Sequence, residues 1–206
     1  MFDAADKTAP GHYGPSQTAL FLLDFHSMFV QRFSGAQGAA AVKVAAEMKA
    51  WAKSKGIKVI HALIDTNATP FETCKDAARL SAIVSAMDQD GAAECPELLE
   101  DAGDEVTFTR RPGYVSALKS PGLEDFLQQS GIKSLILCGF STSGCVTRTA
   151  LSACDAEYVV STISDACADP DEELHKVMLE KVLNNRGYVA TASEIRKGFE
   201  GVSGGN

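Results

Sequence analysis

The stretch "SLILCGFSTSGCVTRTALSACDA", residues 134–156, decides the fold. Residues 134–140 form a near-continuous apolar run, the length of a buried strand. From residue 143 onward, small and apolar residues recur at helical spacing. Between the two lies Gly139-Phe140-Ser141-Thr142-Ser143-Gly144-Cys145. A plain strand-to-helix connection needs only a turn and a cap. This one also puts a cysteine in the first helical turn. The unpaired N–H groups and dipole of a helix N-terminus stabilise a thiolate and can receive an oxyanion. Cys145 is therefore expected to be the most reactive of the six cysteines, the others being Cys74, Cys95, Cys138, Cys154 and Cys167.

Outward from this unit, strand and helix patterns alternate. "TALFLLDFH" (18–26), "KVIHALID" (58–65), "EVTFTRR" (105–111), "EYVVSTISD" (157–165) and "YVAT" (188–191) read as strands. "GAAAVKVAAEMKAWAKSKG" (38–56), "GLEDFLQQSG" (122–131), "DEELHKVMLEKVLNNRG" (171–187) and "SEIRKGFEG" (193–201) read as helices. Residues 67–91 stay open between loop and short helix. Such alternation predicts βαβ units, hence a parallel sheet covered on both faces. The expected fold is a single α/β domain over residues 1–206, three-layered (α/β/α) and Rossmann-like, with residues 1–17 as an irregular arm.

Bulk properties narrow the partners. A length of 206 residues suffices for one sizeable domain. A net charge of −8 argues against nucleic acid or an anionic membrane. No apolar run reaches the ~18 residues of a membrane span, and "MFDAADKTAPGHYGPSQ" lacks the basic and apolar regions of a signal peptide. A cytoplasmic protein acting on a small molecule is expected, with reduced cysteines and no disulfide framework. From Asp88 to Glu105 there are eight carboxylates and no Lys or Arg, which reads as a solvated loop with a short helix.

In parallel sheets, ligands sit beyond the carboxyl ends of the strands. Those ends carry Asp24 with His26 on the same side, then Asp65, then Arg110-Arg111-Pro112-Gly113-Tyr114, then Cys145. An Asp closing a hydrophobic strand is costly unless it is bonded or functional. Asp, a cation and Cys at neighbouring mouths supply a base, an electrostatic support and a nucleophile. On geometry alone, a structural cysteine in a glycine-rich turn is an equal alternative.

The segment "GFSTSGCVTRTALSACDAEYVVSTISDACAD" closely resembles the signature of the isochorismatase-like cysteine hydrolases, in which a strand ends in Gly-apolar-X-Thr-X-X-Cys-Val and a helix rich in small residues follows. "ALFLLDFHSMF" resembles the family's first strand, which ends in the catalytic Asp. "RRPGYVSALKSPGLEDFLQQSGI" resembles the segment after its catalytic Lys. The resemblance runs from about residue 18 to 195. It implies six parallel strands, Cys145 as nucleophile, Asp24 as its proton acceptor and a thioacyl intermediate. It also implies a cis peptide at Phe140–Ser141, turning N–H groups near Ser141 and Cys145 toward the substrate oxygen.

The family's Lys has no clean match. Aligned with one extra residue, its position falls on Arg111, with Arg110 the second choice. Arg keeps its charge, so it can hold Asp24 ionised or bind a carboxylate, but it is a poor proton shuttle.

Substrate contacts are expected from Phe140, Ser141, Thr142, Tyr114, Phe29 and His26; Phe25, Phe33 and Trp51 are further candidates for the aromatic wall, with a place in the core the alternative for each and the favoured one for Trp51. No cofactor is expected. Nor is a metal: related nicotinamidases carry Asp-X-His, whereas Asp65 is followed by Thr66-Asn67, and the four histidines are His12, His26, His61 and His175. A homo-oligomer is expected. The resulting reading is a hydrolase of small molecules, with amide C–N cleavage favoured. The alternatives are vinyl-ether hydrolysis of isochorismate with Asp24 as acid, and a catalytically silent binding or partner protein.

Overall fold

The computed structural model describes residues 2–33, 35–87, 92–101 and 103–202; the side chains of residues 32, 33, 35, 36, 201 and 202, Phe33 among them, lie outside the described ones. Six strands form one parallel sheet: β1 (Thr18–Leu23), β2 (Lys58–Ile64), β3 (Val106–Arg110), β4 (Ser134–Phe140), β5 (Val159–Ala168) and β6 (Tyr188–Ala190). Their order is β3-β2-β1-β4-β5-β6. The chain first winds outward from β1 in one direction, then restarts beside it at β4. A crevice opens where the winding reverses, between the ends of β1 and β4.

These two central strands are buried along their whole length, which is why both read as near-continuous apolar runs. Their last paired residues are Leu23 and Gly139. Gly139 has φ +143°, and a Cβ there would stand 2.0 Å from the Leu23 carbonyl oxygen. A bare backbone at 139 therefore lets the two strand ends close up.

The helices are α1 (Ser27–Phe33), α2 (Gly35–Ser54), α3 (Ala77–Met87), α4 (Leu123–Gln129), α5 (Thr147–Asp155), α6 (Glu172–Val177), α7 (Asn184–Arg186) and α8 (Ala192–Val202). On α2, Ala41, Ala45, Met48 and Ala52 recur every three or four residues and are buried, giving the helix its core-facing stripe. Right-handed crossovers leading outward in opposite directions place α2 and α5 on opposite faces of the sheet.

Several boundaries differ from expectation, each for a physical reason. β1 stops at Leu23 because Asp24 takes φ +52° and turns the chain. An Asp tolerates this left-handed region better than most residues. Residues 67–91 resolve into a loop and α3, up to residue 87. The acidic run is not simply a solvated loop. Glu94 and Glu105 bury their carboxylates against His61, Lys49 and Lys53 (residues 88–91 and 102 lie outside the described ones). Trp51 packs against the core, the place favoured for it: its ring lies edge-on to Phe199 at 5.4 Å, and Phe2 of the N-terminal arm packs on the same Phe199. Phe25 is fully buried, edge-on to Phe140 at 5.0 Å.

Candidate active site

Asp24, Arg110 and Cys145 meet at the crevice. Arg110 ends β3 and is 2 % exposed despite its charge. Its Nη1 donates to Asp24 Oδ1 at 2.8 Å, its Nη2 to Oδ2 at 2.5 Å, and its Nε to the Tyr114 carbonyl at 3.0 Å. The same Nη2 lies 3.4 Å from the Cys145 sulfur. This is the two-pronged carboxylate grip that only a guanidinium makes. Burial works against the charge on Arg110, but Asp24 outweighs it and its pKa is raised.

Of the two arginines, the structure brings Arg110 and not Arg111 to Asp24. Side chains alternate along a strand, so adjacent residues face opposite ways. Arg111 faces outward: its Nε donates to the Thr69 carbonyl at 2.7 Å, its Nη2 to that of Pro70 at 3.1 Å, and it lies 5.0 Å over the Phe71 ring. It holds the loop after β2 rather than the carboxylate.

Cys145 sits in a helical stretch of wide turns, Thr142–Val146, that leads into α5. The Phe140–Ser141 peptide before it is cis. Burial opposes the lowering of the thiol pKa expected from the helix N-terminus. Burial dominates and pushes the Cys145 thiol up to about 12, with Asp24 adding to the rise and Arg110 opposing it. Cys145 is 3 % exposed, so the resting group is a protonated thiol beside a paired carboxylate.

Asp24 and Arg110 border a cavity of about 350 Å³, which reaches Gly144 beside Cys145 while Cys145 itself lies behind its wall. Asp24, Phe29, Tyr114, Phe140 and Ser141 line the cavity, as expected, and Arg110 lines it in place of the expected Arg111. Two expected contacts do not. Thr142 is fully buried and its Oγ1 is bonded to His175 Nδ1 at 2.8 Å. His26 is 1 % exposed and has both ring nitrogens engaged by backbone: Nε2 accepts from the Ile64 N–H at 3.0 Å, so Nδ1 carries the proton and donates to the Ala92 carbonyl at 2.7 Å. His26 is therefore neutral, although Nε2 stands 4.0 Å from Asp24 Oδ1. It ties the ends of β1 and β2 together. Asp65 is used locally, accepting from the Asn67 N–H at 3.0 Å. Among the described residues, no three metal-ligating side chains converge, and no helix is long and apolar enough to cross a membrane.

The sequence reading missed other site residues. Arg79, Leu80, Ile83 and Val84 of α3 form one wall, from a segment whose pattern was ambiguous. Asp169 accepts from the Ser143 N–H at 2.8 Å and its Oγ at 2.6 Å, pinning the turn that carries Cys145. Thr149, one helical turn after Cys145, has its Oγ1 3.7 Å from the sulfur. The four-residue spacing was the available signal for that neighbour.

Residues 18–194 match the Isochorismatase domain family. The chain is 26% identical over 167 residues to the maleamate amidohydrolase of Pseudomonas putida, covering 80% of this chain and 77% of that protein. Among solved structures, an isochorismatase family protein from Burkholderia thailandensis superposes with a TM-score of 0.76 at 22% identity, covering 90% of this chain and 96% of the other. A cysteine hydrolase from Pseudomonas syringae pv. phaseolicola gives 0.76 at 20% identity, over 92% and 95%. At these identities the structural likenesses speak for the fold.

Proposed function

Because the chain belongs to the isochorismatase family of hydrolases, we propose that it cleaves an amide C–N bond of a small molecule through a thioester on Cys145. The observation that carries this reading is the shared Nη2 of Arg110, which joins the Asp24 carboxylate to the Cys145 sulfur. The likeness to a maleamate amidohydrolase supports the amide as substrate.

The thiol remains protonated until a carbonyl is in place, since its pKa is near 12. As the carbonyl carbon approaches, Asp24 takes the thiol proton and the sulfur forms its bond to carbon. The carbonyl π pair moves onto oxygen. The helix start provides donors for that oxyanion. There the N–H groups of Ser143, Gly144 and Val146 are taken by Asp169 and the Ser141 carbonyl. The Cys145 N–H at the same turn is the donor assigned to the oxyanion. Asp24 then returns the proton to the departing nitrogen as the C–N bond breaks, leaving the thioester. Water, deprotonated by Asp24, attacks the thioester; the C–S bond breaks and the acid and free thiol are regenerated. Arg110 moves no proton and holds the Asp24 carboxylate in line throughout.

The test is turnover of a panel of small amides, with mass spectrometry of quenched enzyme. A covalent adduct on Cys145, and loss of at least ~10²-fold in rate for Asp24→Asn, are expected. Turnover of isochorismate that survives Cys145→Ala would instead favour the vinyl-ether reading. No turnover of either substrate would favour a silent binding protein.

A further inference from the structure

One cation of the pocket takes no part in the catalytic arrangement. Arg79 of α3 lines the same cavity as Asp24 and Arg110, and these three are its charged lining residues. Arg110 is committed, with Nε on the Tyr114 carbonyl and both terminal nitrogens on Asp24. Arg79 is in a different condition. Its side chain is 64 % exposed, and it makes an ionic contact with Asp76 at the head of the same helix, 2.7 Å away and itself 54 % exposed. An exposed pair of this kind is worth little, so leaving Asp76 for another anion would cost Arg79 little. The remaining wall is chiefly apolar, with Phe29, Ile64, Leu80, Ile83 and Val115 among its members.

From this arrangement we infer that the substrate is a small amide that also bears a carboxylate, and that Arg79 selects it by binding that carboxylate. The inference rests on the amide-hydrolase reading above. A planar carboxylate matches the fork of one guanidinium. A dianionic phosphate would leave a charge unmatched, because the second arginine is already spent on Asp24. The apolar wall then takes the hydrocarbon between the two ends, and the amide carbonyl lies at Cys145. A cavity of about 350 Å³ suits such a short molecule. The net charge of −8 repels an anion at long range, so a cation at the mouth supplies the local attraction.

Two measurements test it. The first compares kcat/KM for succinamic acid, which has one amide and one carboxylate, with that for the neutral diamide succinamide. Wild type is expected to prefer the acid by roughly 10-fold or more, the size of one charged hydrogen bond. Arg79→Ala should collapse that ratio toward one through KM, and Arg79→Lys should recover part of it. The second is a titration of the Cys145→Ala protein with succinate, whose binding should weaken by a similar factor when Arg79→Ala is added. A ratio or a succinate affinity indifferent to Arg79→Ala overturns the inference. If neither amide is turned over but succinate binding depends on Arg79, the amide reading falls and the carboxylate site stands. If amides are turned over with no dependence on Arg79, the opposite holds. Absence of both turnover and succinate binding ends both.

Discussion

Arg110 grips both oxygens of Asp24, at 2.8 and 2.5 Å, from a strand two places away in the sheet. The pair is nearly sealed from water, with side chains 1% and 4% exposed. Breaking one half of such a pair leaves an uncompensated buried charge. Arg110→Ala should therefore lose about 3–5 kcal/mol of stability, read by urea denaturation. Arg110→Lys keeps the charge but loses the fork. It should unfold at an intermediate denaturant concentration and show a lower kcat. Wild-type kcat in Arg110→Lys would mean that charge alone suffices.

Alkylation should follow exposure rather than the position of the helix. Cys74 is exposed, whereas Cys145 is buried with its pKa pushed to about 12. Peptide mapping after limiting iodoacetamide at neutral pH should find Cys74 labelled first. Cys145 should label slowly, and faster as pH rises through the alkaline range. Rapid labelling of Cys145 at pH 7 would show that the helix N-terminus overcomes burial after all.

His61 gives the fold a pH-dependent element away from the pocket. Its Nδ1 lies 2.7 Å from Glu94 and its Nε2 3.1 Å from Glu105, while Lys49 and Lys53 face Glu105 from α2. Burial by itself would lower the His61 pKa; the two carboxylates outweigh it and the net shift is upward. A raised folded pKa stabilises fully below the unfolded value, about 6.5, and the contribution is lost as pH rises through the folded value. Denaturation midpoints should therefore fall above that pH in wild type and stay flatter in His61→Gln. The lowered pKa of His175 acts with opposite sign below 6.5, outside this window.

Gly139 tolerates no side chain. A Cβ would meet the Leu23 carbonyl oxygen at 2.0 Å, and φ +143° strains any L-residue. Gly139→Ala should part β1 from β4, lowering thermal stability and activity together. A variant with wild-type melting temperature and kcat would refute this coupling.

What could be read from the sequence divides along physical lines. Buried parallel strands announce themselves as apolar runs, so β1 and β4 were legible. So were Asp24 and Cys145, as polar residues where those runs stop. Arg110 and Arg111 were ambiguous because the choice depends on the phase of a short strand, and β3 has only five residues. α3 hides in a mixed composition because its inner face borders an open cavity instead of core; only Val84 and Met87 on it are buried. The burial of Cys145 was not legible because a sequence displays the helix start but not the depth at which it lies. Glu94 and Glu105 looked solvated for the same reason: their partners lie on β2 and α2, distant in the chain.

β3 is also an edge strand, paired on one side only. Register is weakly specified where a strand buries little of its surface, and on β3 only Arg110 is buried. A slip of one residue along β2 would exchange the two sides of β3 and turn Arg111 toward Asp24. The arginine doublet makes the cation supply redundant: the crevice receives a guanidinium in either register. The two registers are still unequal, because the slipped one would leave the carbonyls of Thr69 and Pro70 without their donor. The bonds of the outward arginine to the neighbouring loop thus weigh in favour of the alignment in which they form.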